Sequence, residues 1–203
     1  ELKPEEDEAV EVLMAAFAGS NNYAMKARAD DVRIKQLRRQ SRELRLQYRK
    51  SGSEEDRQQS RLAEMEQNQF ELDVFRERAQ KYPTDLAVRF RLGEALFRAG
   101  EFDEAIPMLQ AAQHDPRSRP RCRLLIGRAF FEKGAASQAV DELRDALDEH
   151  ENPGDDLGKE LLYWLARAQE SVQPAEAKAA YGRRLRMGYN YRNGDARQRM
   201  ESL

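Results

Sequence analysis

The second half of this chain repeats itself at a spacing of 34 residues. Gly93 and Gly127 are 34 residues apart, and so are Gly100 and Gly134. The same spacing separates three further pairs, namely Ala105 with Ala139, Leu109 with Leu143, and Ala112 with Ala146. A period of this length, with small residues at fixed places, is typical of a helix-turn-helix unit that stacks on copies of itself. We therefore expect a helical solenoid, and a curved stack of this kind offers an extended surface for holding another molecule.

The composition favours long helices throughout. Only 7 prolines and 11 glycines interrupt 203 residues, charged residues make up 35%, and no segment alternates between apolar and polar residues as a strand does. Cys122 is the single cysteine, so no internal disulfide can form, which favours a reducing compartment. The sequence shows no signal peptide and no apolar run long enough to span a membrane, so we expect a cytoplasmic, all-α protein.

Short breaker segments predict a group of helices over residues 1–82. Pro4 and the acidic residues after it are typical of a helix start, and a second helix is predicted over residues 22–50. Gly52 breaks that helix, and Ser53 can cap a third helix that runs to about Lys81. Two long helices joined by so short a break are predicted to fold back as an antiparallel hairpin.

Residues 83–203 are predicted to hold the repeats. Two helix pairs cover residues 86–119 and 120–152, with inner turns at Gly100 and Gly134. A longer loop then leads to a third, less regular pair over residues 157–187. The segment 189–203, which contains Tyr189, Tyr191 and Arg192 before a short helix, is predicted to cap the end of the stack.

The repeated residues resemble the pattern of tetratricopeptide repeats. The first unit supplies Leu92, Gly93, Leu96, Ala105, Leu109, Ala112 and Pro116, and the second supplies Ile126, Gly127, Phe130, Ala139, Leu143 and Ala146. The early tryptophan of that pattern is Arg89 and Arg123 here, and the second unit has no proline in register. A third unit follows with Leu165, Ala166, Ala177 and Tyr181.

This resemblance implies a right-handed, all-α solenoid of about three helical hairpins, preceded by a long helical hairpin. The last helix of that hairpin would form the second half of an incomplete repeat, since Phe75 lies 34 residues before Leu109. A few such repeats after a charged helical stretch are similar to bacterial members of the family.

The resemblance also implies that the first helix of each pair lines a concave groove. The groove positions carried over are Ala87, Phe90, Glu94 and Phe97, then Arg121, Leu124, Arg128 and Phe131, then Glu160, Tyr163, Arg167 and Glu170. Guanidinium groups flanked by aromatic rings suit a carboxylate or an extended peptide. The alternative is that Arg128 and Arg167 pair with Glu94 and Glu170 on a solvated face.

The function predicted from these features is non-catalytic binding of a protein or peptide partner in the groove. A second hypothesis is a self-assembling scaffold, a homo-oligomer held through the N-terminal helices. Six side chains of the third helix are more apolar than one packing seam needs, and the alternative is that they pack on the first repeat: Leu62, Met65, Phe70, Leu72, Val74 and Phe75.

The basic helix over residues 26–50 raises a third hypothesis, contact with nucleic acid. Residues 20–50 carry ten bases and three acids, a net charge of +7. The acids at 5–11 and 54–56 lie on neighbouring helices and can neutralise this charge, and no nucleic-acid motif is present. We therefore favour charge matching within the protein over nucleic-acid binding.

The sequence argues against an enzyme. His114 and His150 both fall in turns, and no pair of residues has the spacing of metal ligands. Glycine-rich phosphate loops are missing, and Cys122 is placed as a small core residue. We expect no catalytic residue, cofactor or metal.

Overall fold

The computed structural model describes residues 4–188 and 194–203, and every extended regular element among them is an α-helix. The all-α prediction is confirmed. The chain divides into two compact units, Glu1–Glu77 and Arg78–Leu203.

The first unit is built from three helices, α1 (Pro4–Ser20), α2 (Tyr23–Ser51) and α3 (Glu54–Lys81), the last of which continues four residues into the second unit. Each break has a local cause. The Asn22 side chain accepts a hydrogen bond from the Ala24 amide at 3.0 Å and so caps the start of α2. Gly52 ends α2 in the left-handed conformation, with φ of 66°. Ser53 then caps α3, because its hydroxyl accepts from the Asp56 amide at 3.1 Å.

Polar contacts show that α2 and α3 run antiparallel, as predicted. Lys26, near the start of α2, pairs with Glu77, whereas Arg38 pairs with Glu71. Further along, Gln47 donates to Asp56 at 2.6 Å, at the beginning of α3. Partners on α3 thus move towards its N-terminus as α2 proceeds.

The second unit consists of three successive helix pairs and a closing helix. The pairs are α4 (Leu86–Ala99) with α5 (Phe102–Ala112), α6 (Arg119–Glu132) with α7 (Ala136–Asp148), and α8 (Asp156–Gln169) with α9 (Pro174–Arg186). The closing helix α10 (Asp195–Ser202) packs against α9. Successive pairs stack because α5 contacts α6 and α7 contacts α8. Tyr189, Tyr191 and Arg192, predicted as part of the cap, lie outside the described residues.

In the first two pairs, the same close contact between the two helices recurs after 34 residues. A Cβ atom added to Gly93 would lie 2.6 Å from Cγ of Leu109, and one added to Gly127 would lie 2.5 Å from Cγ of Leu143. Both leucines are completely buried. Only glycine therefore lets each leucine pack directly on the facing helix.

The third pair departs from this plan by using larger side chains. Ala166 stands where the first two pairs have glycine, and Tyr181 stands where they have leucine. Both residues are completely buried. The Tyr181 hydroxyl donates a hydrogen bond to Glu170. The third pair is therefore a repeat by topology with its own packing chemistry.

Candidate functional site

The first helices of the three pairs lie side by side. Helix α4 contacts α6, and α6 contacts α8, in addition to the contacts within each pair. We call the surface of these three helices the inner face, and it is built from Phe90, Glu94, Phe97, Arg121, Arg128, Phe131, Glu160, Trp164, Arg167 and Glu170. One helix from every pair thus contributes to a single continuous surface.

Two arginines of the inner face are stacked among aromatic rings. The guanidinium carbon of Arg128 lies 4.8 Å from the ring centroid of Phe97 and 4.5 Å from that of Trp164. The guanidinium carbon of Arg167 lies 5.0 Å from the Phe131 ring and 5.6 Å from the Trp164 ring. These distances are within the range of cation–π attraction. The three rings and two guanidinium groups therefore form one alternating cluster that crosses all three helix pairs.

Carboxylates hold the arginines of this cluster from the side. Glu160 accepts hydrogen bonds from Arg121 at 2.8 Å and from Arg128 at 3.3 Å. Glu170 lies 3.7 Å from Nε of Arg167. The side chains of Arg128 and Arg167 remain 19% and 20% exposed, and that of Arg121 is 40% exposed. The cluster is therefore fixed within the protein while its edge still reaches solvent.

The alternative pairing considered from the sequence is found for one arginine. Arg167 pairs with Glu170, as that alternative required, but Arg128 pairs with Glu160 rather than with Glu94. Glu94 instead pairs with Arg91, one turn earlier on α4, at 2.9 Å.

Two of the predicted groove residues lie in the core. Leu124 is completely buried and Tyr163 is 1% exposed, so neither presents its side chain to a partner in this structure. Leu124 packs in a cluster with residues of α7 and α8, and the Tyr163 hydroxyl donates to Asp195 of α10 at 2.5 Å. The neighbouring Trp164 is only 5% exposed, and its ring lies against the guanidinium groups of both Arg128 and Arg167. It occupies the position equivalent to the core residue Leu125, and its size is the only signal of this role in the sequence.

Helix α10 closes the inner face at the third pair through a network of hydrogen bonds. Asp195 accepts from Tyr163 and from Arg199 Nε, the latter at 2.9 Å, while Arg199 also reaches Glu170 at 3.3 Å. Burial works against ionisation of Asp195, but the hydrogen bonds from Tyr163 and Arg199 outweigh it and lower the pKa of this carboxyl. Burial, with the hydrogen bond to Glu170, raises the pKa of Tyr181, which keeps that phenol protonated. The predicted C-terminal cap is therefore a charged network as well as an apolar contact.

The bases of α2 are matched by carboxylates within the first unit. Lys26 contacts both Asp30 and Glu77, and Arg39 contacts Glu6 on α1 at 2.5 Å. Arg38 makes a bidentate contact with Glu71, at 2.7 and 2.6 Å. The prediction of internal charge matching is confirmed for these residues, although α3 contributes Glu71 and Glu77 rather than the acids at 54–56.

Other candidate sites from the sequence have simple structural roles. Cys122 is completely buried, and this burial raises the pKa of its thiol to about 11. His150 lies 2.9 Å from Asp155, the residue that caps α8. Among the residues that the structure describes, no cluster of three potential ligands for a metal ion is found, and no helix is both long and apolar enough to cross a membrane.

Stacked helix pairs with a row of first helices define a helical-hairpin repeat protein. The sequence model for the tetratricopeptide repeat matches residues 74–121 and 90–156. A crystal structure of a thermophilic TPR protein from Thermus thermophilus superimposes with a TM-score of 0.53, covers 97% of each chain and is 20% identical in sequence, which shows a shared fold. No curated protein matches the chain. Residues 74–156 therefore carry the pattern of tetratricopeptide repeats (TPRs).

Proposed function

We propose that the inner face of α4, α6 and α8 holds an extended segment of a protein partner. Repeats of this family generally mediate protein–protein interaction, and the observation that carries the proposal for this chain is the cluster of Phe97, Arg128, Trp164, Arg167 and Phe131. It brings rigid aromatic and arginine side chains together on one surface. These residue types are enriched where binding energy is concentrated in protein interfaces.

The chemistry of the cluster indicates what the partner offers. A stacked guanidinium group keeps its N–H donors in the plane of the group, where Glu160 accepts one of them from Arg128. Carboxylates and backbone carbonyls of an extended segment are suitable acceptors for such donors. Because Arg128 and Arg167 are already held in place, little side-chain entropy is lost when a partner docks.

The function is proposed as non-catalytic and confined to binding. A structural role through the first unit is compatible with it, since the two activities use different helices. The charge matching along α2 supports a packing role for the basic helix rather than contact with nucleic acid.

The test requires a variant that changes the inner face without disturbing the cluster. Reversing the charge of Arg128 or Arg167 would place a carboxylate against aromatic rings, so the fold itself would suffer. Ala87 is a suitable target, because it is exposed at a predicted groove position of α4 and is not one of the cluster residues. The variant Ala87→Arg adds bulk and a charge at this position.

The same change on α9 provides a matched control. Ala179 is exposed on this second helix of the third pair. A partner is first isolated with the wild-type chain as bait and purified, and its dissociation constant is then measured by calorimetry for all three proteins. We expect Ala87→Arg to bind at least about tenfold more weakly and Ala179→Arg to bind like the wild type. Equal affinities for the two variants would refute the proposed face.

A further inference from the structure

Five side chains of α8 and α10 form a closed ring of hydrogen bonds and ion pairs. Arg167 donates to the hydroxyl of Tyr163 at 3.3 Å, and that hydroxyl donates to Asp195 at 2.5 Å. Arg199 donates to Asp195 at 2.9 Å and to Glu170 at 3.3 Å. Glu170 lies 3.7 Å from Nε of Arg167, which closes the ring. We call these five residues the α8–α10 ring, and its member Arg167 also belongs to the aromatic cluster of the inner face.

On one side of the ring, α10 fixes the direction of the hydrogen bonds at Tyr163. An ionised Asp195 can only accept, so the single proton of the Tyr163 hydroxyl points to it. The oxygen of that hydroxyl then offers its lone pairs to Arg167, which can only donate. The ring therefore helps to hold the Arg167 guanidinium group where it stacks on the rings of Phe131 and Trp164.

On the other side of the ring, the carboxylate of Glu170 is shared between two arginines. Arg199 reaches both of its oxygens at 3.3 Å, while Arg167 approaches the same group from within α8. Without α10, this carboxylate would attract Arg167 more strongly, because Arg199 would no longer neutralise it. The attraction would draw the guanidinium group of Arg167 away from the aromatic rings.

Helix α10 has few other contacts that could hold it in place. It is eight residues long, and isolated helices shorter than about 12 residues are only marginally stable in water. Of its residues, all of which the structure describes, only Ala196 is buried, and Met200 packs partly buried against the core cluster. Docking of α10 is therefore a local equilibrium that contacts at the ring can shift.

We propose that docking of α10 and binding of a partner at the inner face strengthen each other, with Asp195 as the positioning residue that acts on Arg167 through Tyr163. This inference rests on the proposed function, since it names what controls the same surface. Coupling between two sites is reciprocal, so a docked α10 raises the affinity for the partner, and a bound partner raises the fraction of chains in which α10 is docked. Couplings of this kind typically change an affinity by about fivefold or more.

The first test measures the affinity for the partner, purified with the wild-type chain as bait, after a change in α10 alone. Asp195→Asn replaces a group that only accepts by an amide that can donate to Tyr163, and calorimetry should show binding weakened by about fivefold or more. Glu201→Gln is the matched control, because it neutralises another carboxylate of α10 that is 56% exposed and pairs with Arg197 of the same helix. This control should bind like the wild type. Equal affinities of the two variants would overturn the coupling.

A double-mutant cycle tests whether Asp195 acts through Tyr163. Tyr163→Phe removes only the hydroxyl group from the ring and should weaken binding by a similar factor. The double variant, Asp195→Asn with Tyr163→Phe, should bind no more weakly than either single variant, because both changes break the same chain of contacts. Losses that multiply in the double variant would overturn the route through Tyr163.

The last test uses the wild-type chain, so it does not depend on how a variant folds. Amide hydrogen exchange of residues 199–202 is measured with and without the purified partner. These amides should exchange at least about fivefold more slowly in the complex, and unchanged rates would overturn the coupling.

The variant Ala87→Arg separates this inference from the proposed function. If Ala87→Arg binds weakly while Asp195→Asn binds like the wild type, the coupling is wrong and the proposed binding face stands. If Ala87→Arg binds like the wild type, the binding face is wrong, and the coupling that rests on it is overturned as well.

Discussion

Substitution of Gly93 by alanine tests whether the two helices of a pair pack closely because a glycine stands at this position. The added Cβ atom would lie 2.6 Å from Cγ and 2.7 Å from Cδ2 of Leu109, and 3.3 Å from its backbone nitrogen. The leucine is completely buried, and the close approach to its backbone nitrogen means that α5 itself has to shift slightly. Overpacking of this kind typically costs about 1–3 kcal/mol.

The higher helix propensity of alanine opposes this cost and has to be separated from it. Alanine is about 1 kcal/mol better than glycine inside a helix, so the net loss for Gly93→Ala is about 0–2 kcal/mol. Gly182 in α9 offers the matched control, because the nearest atom to its added Cβ is Arg186 Nη1 at 3.9 Å. Gly182→Ala gains the helical preference without the clash and is expected to stabilise the protein. The difference between the two variants, about 1–3 kcal/mol, isolates the contact.

The assay is urea unfolding followed through the fluorescence of Trp164, the single tryptophan, which is 5% exposed in the third helix pair. A second pair of variants completes a double-mutant cycle, in which Leu109→Ala should relieve most of the effect of Gly93→Ala. If Gly93→Ala were stabilised as much as Gly182→Ala, the close packing of the two helices would be refuted.

Two further predictions concern charged groups. Arg38→Met removes the bidentate partner of the completely buried Glu71 carboxylate. The free energy of unfolding, measured by urea unfolding followed by circular dichroism, should fall by about 3 kcal/mol. Adding Glu71→Leu should recover most of that loss, and equal stability of the single and double variants would contradict this. The pKa of Asp195 is lower in the folded protein than its ordinary value, so its contribution to stability is present above about pH 4 and is lost as the pH falls through the folded pKa. The difference in thermal midpoint between the wild type and Asp195→Asn should therefore shrink on acidification below about pH 4, and a difference that is constant down to about pH 2 would exclude this role for α10.

The regular part of the fold could be predicted from the sequence because packing alone determines it. Gly93 and Gly127 have to be small, their partners Leu109 and Leu143 have to fill the space, and both requirements recur at the repeat spacing. Breakers such as Gly52 are equally readable, since a left-handed backbone conformation strongly favours glycine. Such local requirements leave direct traces in the residue types.

The inner face was less predictable because its contacts depend on neighbours that are distant in sequence. Arg128 and Arg167 were identified from the family pattern, but their place between aromatic rings depends on how far the Trp164 side chain extends. Leu124 and Tyr163 occupy groove positions of that pattern and yet are buried, since α8 and α10 cover them. The contact of Tyr163 with α10 involves a closing helix that the repeat pattern does not describe.

The burial of the apolar side chains of α3 also could not be predicted from the sequence. Leu72, Val74 and Phe75 are buried, while Leu62 and Met65 are exposed. All five are apolar residues within one helix, so their types cannot separate the two groups. Only the tertiary structure decides which of them are buried.

Photo-cross-linking from a single position tests most directly whether the inner face holds the partner. A photoreactive side chain is placed at the exposed residue 87 of α4, or at the exposed residue 179 of α9, and each protein is irradiated with the purified partner. We expect covalent capture of the partner from position 87 and none from position 179. Capture from position 179 alone would contradict the proposed binding face.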